Sequence, residues 1–119
     1  FLDVLELQPD RDVREETCGV LEELFAVIQD RKRDLPEDSY TASLLREGPG
    51  RIAQKVIEEA GETAIAATQG ESDRLPEEVA DLLYHTLVLL SASEVSPEEV
   101  WRELRQRRGE GGGSKGDKL

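Results

Sequence analysis

Five acidic residues stand at helical spacing in the middle of the chain. They form two groups, Glu58, Glu59 and Glu62 in the first and Glu78 and Asp81 in the second. At about 100° per residue, the members of each group fall on one side of a helix. Two carboxylates about 6 Å apart repel by roughly 3 kcal/mol at an effective dielectric constant near 20. If the two groups face each other, their repulsion destabilises the fold unless the carboxylates are protonated or bind cations. A site made of oxygen ligands alone suits Mg²⁺ or Mn²⁺.

Magnesium held by carboxylates keeps coordination positions for water and for substrate phosphates. The chemistry indicated is therefore metal-assisted hydrolysis of a phosphate anhydride, in which the metal neutralises the phosphates and activates a water. Three basic residues could contact phosphates: Arg31, Lys32 and Lys55. Each also has an ordinary interpretation, because Lys55 can pair with Glu59 one helical turn away and the other two suit a helix C-terminus.

The two acidic groups differ in how well a solvated surface explains them. Glu-rich faces are common on surface helices, so the first group alone favours that interpretation. Glu78 and Asp81 lie on an otherwise apolar segment, where a solvated face is a poor explanation. His85 follows Asp81 by one turn, and we place it among the catalytic candidates with Glu58, Glu59 and Glu62. It is equally well explained as a partly buried, hydrogen-bonded histidine, and the residues leave both interpretations open.

Hydrophobic periodicity predicts an all-α fold, a bundle of four to five helices, and no segment alternates with period two. The predicted helices cover residues 13–34, 41–47, 51–69, 75–92 and 96–108, between a lead-in over 1–12 and a disordered Gly-rich tail over 109–119. Asp12 is the expected N-cap of the first helix, and Ser96 with Glu99 forms a capping box for the last. The fourth helix is apolar on nearly all sides, which indicates burial. Because a short turn joins the third and fourth helices, we expect them to be antiparallel neighbours whose acidic groups face each other.

Composition narrows the class of partner. The chain has 27 acidic and 15 basic residues and a net charge of −12, which argues against binding to nucleic acid or to an anionic membrane. It has no apolar run long enough to span a membrane and no basic signal-peptide region, so a cytoplasmic location is expected. Cys18 is the one cysteine, and we expect it to be a buried apolar side chain. A chain of 119 residues buries a limited share of its surface, so a homo-oligomer with a shared core is expected.

Residues 20–108 resemble the all-α nucleoside-triphosphate pyrophosphohydrolases, and most closely the phosphoribosyl-ATP pyrophosphohydrolases. The acidic signature E-E-x-x-E … E-x-x-D of the wider group is similar to Lys55-Val-Ile-Glu-Glu-Ala-Gly-Glu62 followed by Glu78-Val-Ala-Asp81. The narrower resemblance adds Arg31-Lys32, Pro36-Glu-Asp-Ser-Tyr-Thr41 and the Tyr84-His85 pair that follows the second acidic group.

This resemblance implies an enzyme that hydrolyses the α–β phosphoanhydride bond of phosphoribosyl-ATP, with Mg²⁺, in the second step of histidine biosynthesis. It implies that Glu58 either binds metal or orients the attacking water, and that active sites lie near the interface of a homodimer. The implied metal ligands are Glu59, Glu62, Glu78 and Asp81; the implied substrate contacts are Arg31, Lys32, Ser39, Tyr40, Thr41 and Lys55. Two alternatives remain: a house-cleaning pyrophosphohydrolase of the same fold that acts on non-standard or deoxynucleoside triphosphates, and a non-catalytic helical interaction module.

Overall fold

The structure, a computed structural model, describes residues 19–109. Over this range the chain forms helices and no strand, which confirms the all-α prediction. The helices are α1 (Val20–Asp34), α2 (Tyr40–Glu47), α3 (Pro49–Thr68), α4 (Leu75–Ala92) and α5 (Pro97–Arg107). The predictions for the lead-in, the Asp12 cap, Cys18 and the tail after Gly109 concern residues outside the described range. None of the described helices is both long and apolar enough to span a bilayer.

The helix ends follow from local side-chain chemistry. Ser39 caps α2 by accepting a 3.1 Å hydrogen bond from the backbone N–H of Ala42. Ser96 forms the predicted capping box at the start of α5. The predicted break over residues 48–50 is shorter than expected, since only Gly48, with φ of 97°, lies outside a helix. Pro49 is the first residue of α3, because a proline there loses no intrahelical hydrogen bond.

The turn between α3 and α4 is set by the C-terminal motif of α3. Gly70 adopts a left-handed conformation with φ of 72°, which glycine tolerates best. Its N–H donates to the carbonyl of Ala67, and the N–H of Glu71 donates to the carbonyl of Ala66. This pair of bonds is a Schellman motif, and it ends α3 so that the chain can reverse into α4.

Helices α3 and α4 make the most extensive helix–helix contact of the described residues, and their short connection makes them antiparallel neighbours, as predicted. Helices α1 and α2 pack against this pair and close a core on one side of it. The largest side chains of that core include Ile28, Leu44, Ile52, Tyr84 and Val88. Each buried aliphatic side chain of this kind contributes about 1.5–3 kcal/mol, so the core fixes the relative position of the two acidic helices.

Large apolar side chains are exposed on the outer faces of α3 and α4. Ile57 is 72% exposed and Ile65 is 52% exposed on α3, and Val79 and Leu83 are exposed on α4. The expectation that α4 is buried on nearly all sides is therefore wrong for Leu83. The reason is that the described helices cover only one side of the α3–α4 pair.

Candidate active site

Three carboxylates from α3 and α4 meet in the groove between these helices. Glu59, Glu78 and Asp81 each place one oxygen within 4.8 Å of the other two. Glu59 and Glu78 are buried, and Asp81 is half-buried. The antiparallel packing thus brings the two acidic groups face to face. Glu62 is more exposed, but its carboxyl lies close enough to those of Glu59 and Glu78 to act on the pKa of both.

Glu59 has the surroundings that most favour cation binding in this group. Its Oε2 is buried and has no hydrogen-bond partner among the described residues. Burial raises the pKa of Glu59, and the charges of Glu62 and Asp81 raise it further. A buried carboxylate oxygen without a partner is costly. The donor set around it consists of carboxylate oxygens, so these residues fit a hard divalent cation.

The pKa of Glu78 is also raised, but its main cause is different. A hydrogen bond between the carboxyl groups of Glu62 and Glu78 raises the pKa of Glu78, and burial adds to the rise. Arg74 opposes it, with Nη2 placed 3.4 Å from Glu78 Oε2. The sequence reasoning missed Arg74, although its position one helical turn before Glu78 is the spacing of an ion pair.

Lys55 lies at the edge of the acidic cluster. Its Nζ is 3.3 Å from Glu58 Oε1 and 3.8 Å from Glu59 Oε1. Burial opposes the Lys55 charge, but the hydrogen bond to Glu58 and the nearby acidic groups outweigh it, so the pKa of Lys55 is raised. Both interpretations given to Lys55 are compatible with this geometry: it pairs with Glu59, and it places a cation beside the cluster.

His85 and Tyr40 border the cluster on its α2 side. His85 is 4% exposed; its Nδ1 lies 2.8 Å from the backbone carbonyl oxygen of Asp81, and its Nε2 lies 3.0 Å from the hydroxyl oxygen of Tyr40. Burial lowers the pKa of His85 and raises that of Tyr40. The charges of Lys55 and Glu59 act on the Tyr40 hydroxyl, which places this phenol beside the acidic stripe of α3.

The neighbours of Tyr40 in sequence hold α2 in place. Ser39 is buried and caps the helix. Thr41 is fully buried, and its hydroxyl is hydrogen-bonded to the hydroxyl of Tyr84 on α4. Of these three consecutive residues, Tyr40 is the exposed one. Substrate contact by Ser39 and Thr41 stays a prediction, and the structure gives each a role in folding.

Arg31 and Lys32 lie near the C-terminal end of α1, whereas the carboxylates lie on α3 and α4. Lys32 Nζ donates a 2.7 Å hydrogen bond to the backbone carbonyl of Ser91. Ser91 follows Asp81 by ten residues on α4, or about 15 Å along the helix axis at 1.5 Å per residue. Lys32 therefore lies toward the far end of α4, and phosphate contact by Arg31 and Lys32 stays a prediction.

Comparison with known proteins gives one consistent family. The sequence profile of the family described as phosphoribosyl-ATP pyrophosphohydrolase matches residues 21–108. Three similar curated proteins are each named phosphoribosyl-ATP pyrophosphatase. The protein of Geobacter sulfurreducens is 48% identical over 97 residues, which cover 82% of this chain and 90% of the relative. That of Azospirillum brasilense is 47% identical, covering 81% and 86%, and that of Haloarcula marismortui is 46% identical, covering 79% and 98%.

Proposed function

The chain belongs to the phosphoribosyl-ATP pyrophosphohydrolase family, and we propose that it hydrolyses phosphoribosyl-ATP to phosphoribosyl-AMP and pyrophosphate, the second step of histidine biosynthesis. The observation that carries the proposal is the group formed by Glu59, Glu78 and Asp81, with its buried, unpartnered carboxylate oxygen. A cation in that group would link the acidic protein to a triphosphate. The substrate is a small nucleotide of the cell interior, so we place the enzyme in the cytoplasm.

The cation of this proposal is Mg²⁺, with Mn²⁺ as a possible substitute. Glu59, Glu62, Glu78 and Asp81 would hold it, because the first, third and fourth share one oxygen cluster and Glu62 adjoins it. Bound magnesium supplies charge neutralisation for the phosphates and lowers the pKa of a coordinated water. The protein supplies a site that favours a cation, since the carboxyls of Glu59 and Glu78 resist ionisation without one.

The remaining polar residues are assigned by their position around the cluster. Glu58 is exposed next to Glu59 and would bind metal or orient the attacking water. Lys55 would exchange its contact with Glu58 for a substrate phosphate, since its ammonium group is already held at the edge of the site. The substrate carries phosphate at both of its ends. Arg31 and Lys32, about 15 Å along α4 from the cluster, would suit the end away from the metal.

The proposed assembly is a homodimer that buries the outer faces of α3 and α4. Ile57, Ile65, Val79 and Leu83 supply the apolar surface, and full burial of one such side chain contributes about 1.5–3 kcal/mol. These side chains lie on the same two helices as the carboxylates, which would put the interface close to the site.

Light scattering tests the assembly. Wild type should have twice the chain mass of 13.3 kDa, whereas Ile57→Asp should shift toward the monomer because a buried unpaired charge is costly. Ile57→Val keeps an apolar side chain and serves as the matched control. A wild-type protein that is monomeric at working concentrations would reject the homodimer.

Pyrophosphate release tests the reaction. Wild type should release pyrophosphate from phosphoribosyl-ATP with millimolar Mg²⁺ and stop when a chelator is added. Glu62→Gln and Asp81→Asn should lose most of that activity, whereas Glu77→Gln, an exposed change of the same charge outside the cluster, should keep it. Faster turnover of deoxynucleoside triphosphates would favour the house-cleaning alternative. No release from a folded sample on any nucleotide would favour a non-catalytic helical module.

A further inference from the structure

Arg74 lies at one end of the carboxylate groove, beside the cluster, and has no part in the roles assigned above. Its Nη2 is 3.4 Å from Glu78 Oε2, and its Nη1 is 3.4 Å from Glu71 Oε1. Both distances are long for a hydrogen bond from N–H to oxygen. A guanidinium group has five N–H donors, and only two of those of Arg74 are used within residues 19–109. Arg74 therefore keeps donors for a ligand.

A contribution to helix stability is a poor explanation for Arg74. It is the N-cap residue of α4, and its side chain makes no capping hydrogen bond. A positive charge at the N-terminus of a helix opposes the helix dipole. The Arg74 side chain is 53% exposed, so solvent weakens both of its ion pairs. Contact with a ligand explains better why an arginine stands beside the buried Glu78.

Two basic side chains bracket the carboxylates along the groove. Lys55 precedes Glu59 by one helical turn on α3, and Arg74 precedes Glu78 by one turn on α4. Because α3 and α4 are antiparallel, these two turns lead in opposite directions from the cluster. Lys55 lies at the end where its charge acts on Tyr40 of α2. Arg74 therefore lies at the opposite end, beside the turn between α3 and α4.

The proposed function gives the substrate a direction along this groove. Lys32, assigned above to the phosphate away from the metal, contacts Ser91 near the C-terminal end of α4. Arg74 lies on the other side of the cluster, about 6 Å before Glu78 along the helix axis at 1.5 Å per residue. With the triphosphate at the carboxylates and the phosphoribosyl end toward Lys32, the terminal phosphates point toward Arg74.

The surroundings of Arg74 suit phosphate better than a base or a sugar. The turn before it, residues 70–73, is polar and mostly exposed and offers no apolar wall. A guanidinium group can place two parallel N–H donors on two oxygens of a phosphate. Glu71 competes for these donors, so its removal should strengthen anion binding at this end of the groove.

We propose that Arg74 binds the two terminal phosphates of the substrate, the part that leaves as pyrophosphate. Glu78 gains a closer partner when a cation is bound, and the guanidinium group of Arg74 then turns from Glu78 to phosphate oxygens. Arg74 transfers no proton, because a guanidinium group stays charged at every working pH. The description of these phosphates as a leaving group rests on the proposed function, whereas affinity for pyrophosphate does not.

Calorimetry with inorganic pyrophosphate in millimolar Mg²⁺ tests the contact without any turnover. Arg74→Gln should bind pyrophosphate about tenfold more weakly than wild type, the usual worth of a hydrogen bond to a charged group. Arg74→Lys should recover part of the loss. Arg107→Gln is the matched control and should bind as wild type does, because Arg107 is 51% exposed and pairs with Glu103 one turn away on α5. Equal affinity of Arg74→Gln and wild type, or no binding by wild type, would overturn the proposal.

Titration with Mg²⁺ alone separates contact with phosphate from support of the metal site. Arg74→Gln should bind magnesium at least as tightly as wild type, because the guanidinium group no longer competes for Glu78. A loss of magnesium affinity as large as the loss of pyrophosphate affinity would overturn the proposal, since Arg74 would then serve the metal site. Glu71→Gln should tighten pyrophosphate binding about two- to fivefold, because it releases Arg74 from an exposed ion pair.

Product inhibition with phosphoribosyl-ATP as substrate tests the direction of the substrate. Inhibition by pyrophosphate should weaken about tenfold in Arg74→Gln, whereas inhibition by phosphoribosyl-AMP should not change. The reverse pattern would put the nucleoside end at Arg74 and overturn the proposal. If wild type does not cleave phosphoribosyl-ATP, the proposed function fails, and the pyrophosphate titrations still decide whether Arg74 binds these phosphates.

Discussion

Glu59→Gln should stabilise the metal-free protein and at the same time remove its response to magnesium. Glu59 is buried, its Oε2 has no hydrogen-bond partner among the described residues, and its pKa is raised by burial and by nearby carboxylates. Glutamine has nearly the same volume, carries no charge, and brings an N–H donor that the neighbouring carboxylates can accept from. The substitution thus removes a charge and an unpartnered carboxylate oxygen from the metal-free site. It also removes a carboxylate ligand from the metal-bound site.

The magnitude follows from three contributions. Repulsion between Glu59 and Asp81, whose nearest oxygens lie within 4.8 Å of each other, is about 3.5 kcal/mol or more at an effective dielectric constant near 20. Attraction between Glu59 and Lys55 at 3.8 Å is about 4 kcal/mol on the same scale, so the two nearly cancel. What remains is the cost of a buried polar atom without a partner, about 1–3 kcal/mol. We therefore expect a stabilisation of about 1–2 kcal/mol, or about 4–8 °C in Tm for each kcal/mol.

Thermal melting in chelator and in millimolar magnesium is the assay. Wild type should gain about 2.7 kcal/mol when magnesium is present at a hundred times its Kd, whereas Glu59→Gln should gain little. The order of the two melting temperatures should therefore reverse between the two conditions. Glu77→Gln is the matched control: it removes the same charge from an exposed position in the first turn of α4. It should cost at most about 1 kcal/mol and keep the magnesium response.

Two results would refute this reasoning. If Glu59→Gln melts below wild type in chelator, the carboxylate is stabilised in the metal-free protein, and the unpartnered oxygen carries no cost. If the variant gains as much from magnesium as wild type does, Glu59 is not a ligand of the ion.

Three further predictions concern pH and helix ends. In chelator, the free energy of unfolding of wild type should fall relative to Glu59→Gln as pH rises above about 4.5, because the raised pKa of Glu59 makes the folded wild type bind more protons than its unfolded chain; urea titrations across pH measure this. Ser39→Ala should cost about 1 kcal/mol in urea unfolding through loss of the α2 cap, against little change for the exposed Ser72→Ala. Lys32→Met should cost about 1–2 kcal/mol and speed amide exchange at the end of α4, and it should also raise KM if Lys32 contacts phosphate.

The positions of the helices were predictable because the signals that begin and end them are local. The Ser96 capping box lies within four residues, and Gly70 follows α3 at the position that needs a left-handed conformation. The pairing of α3 with α4 was predictable as well, since helices joined by a short turn pack as antiparallel neighbours. The Gly-Pro-Gly stretch over 48–50 predicts a break, but Pro49 begins α3, because proline is tolerated at the first position of a helix.

The acidic groups were also visible in the sequence, because helical spacing shows which side chains share a face. Spacing does not show which face is covered, since that depends on elements distant in the chain. Glu59 is buried and Ile57 is 72% exposed, the reverse of what polarity alone suggests, because α1 and α2 pack on the other side of the α3–α4 pair.

The sequence by itself determined the helical class, the family and the set of candidate ligands, since each depends on residue type and on spacing within one segment. Only the tertiary structure decided how those residues meet. The Tyr40–His85 hydrogen bond joins residues 45 positions apart, and the carboxylate cluster joins two helices across a groove. Such contacts depend on how the core orients each helix about its axis, and that orientation is set jointly by all the packed elements.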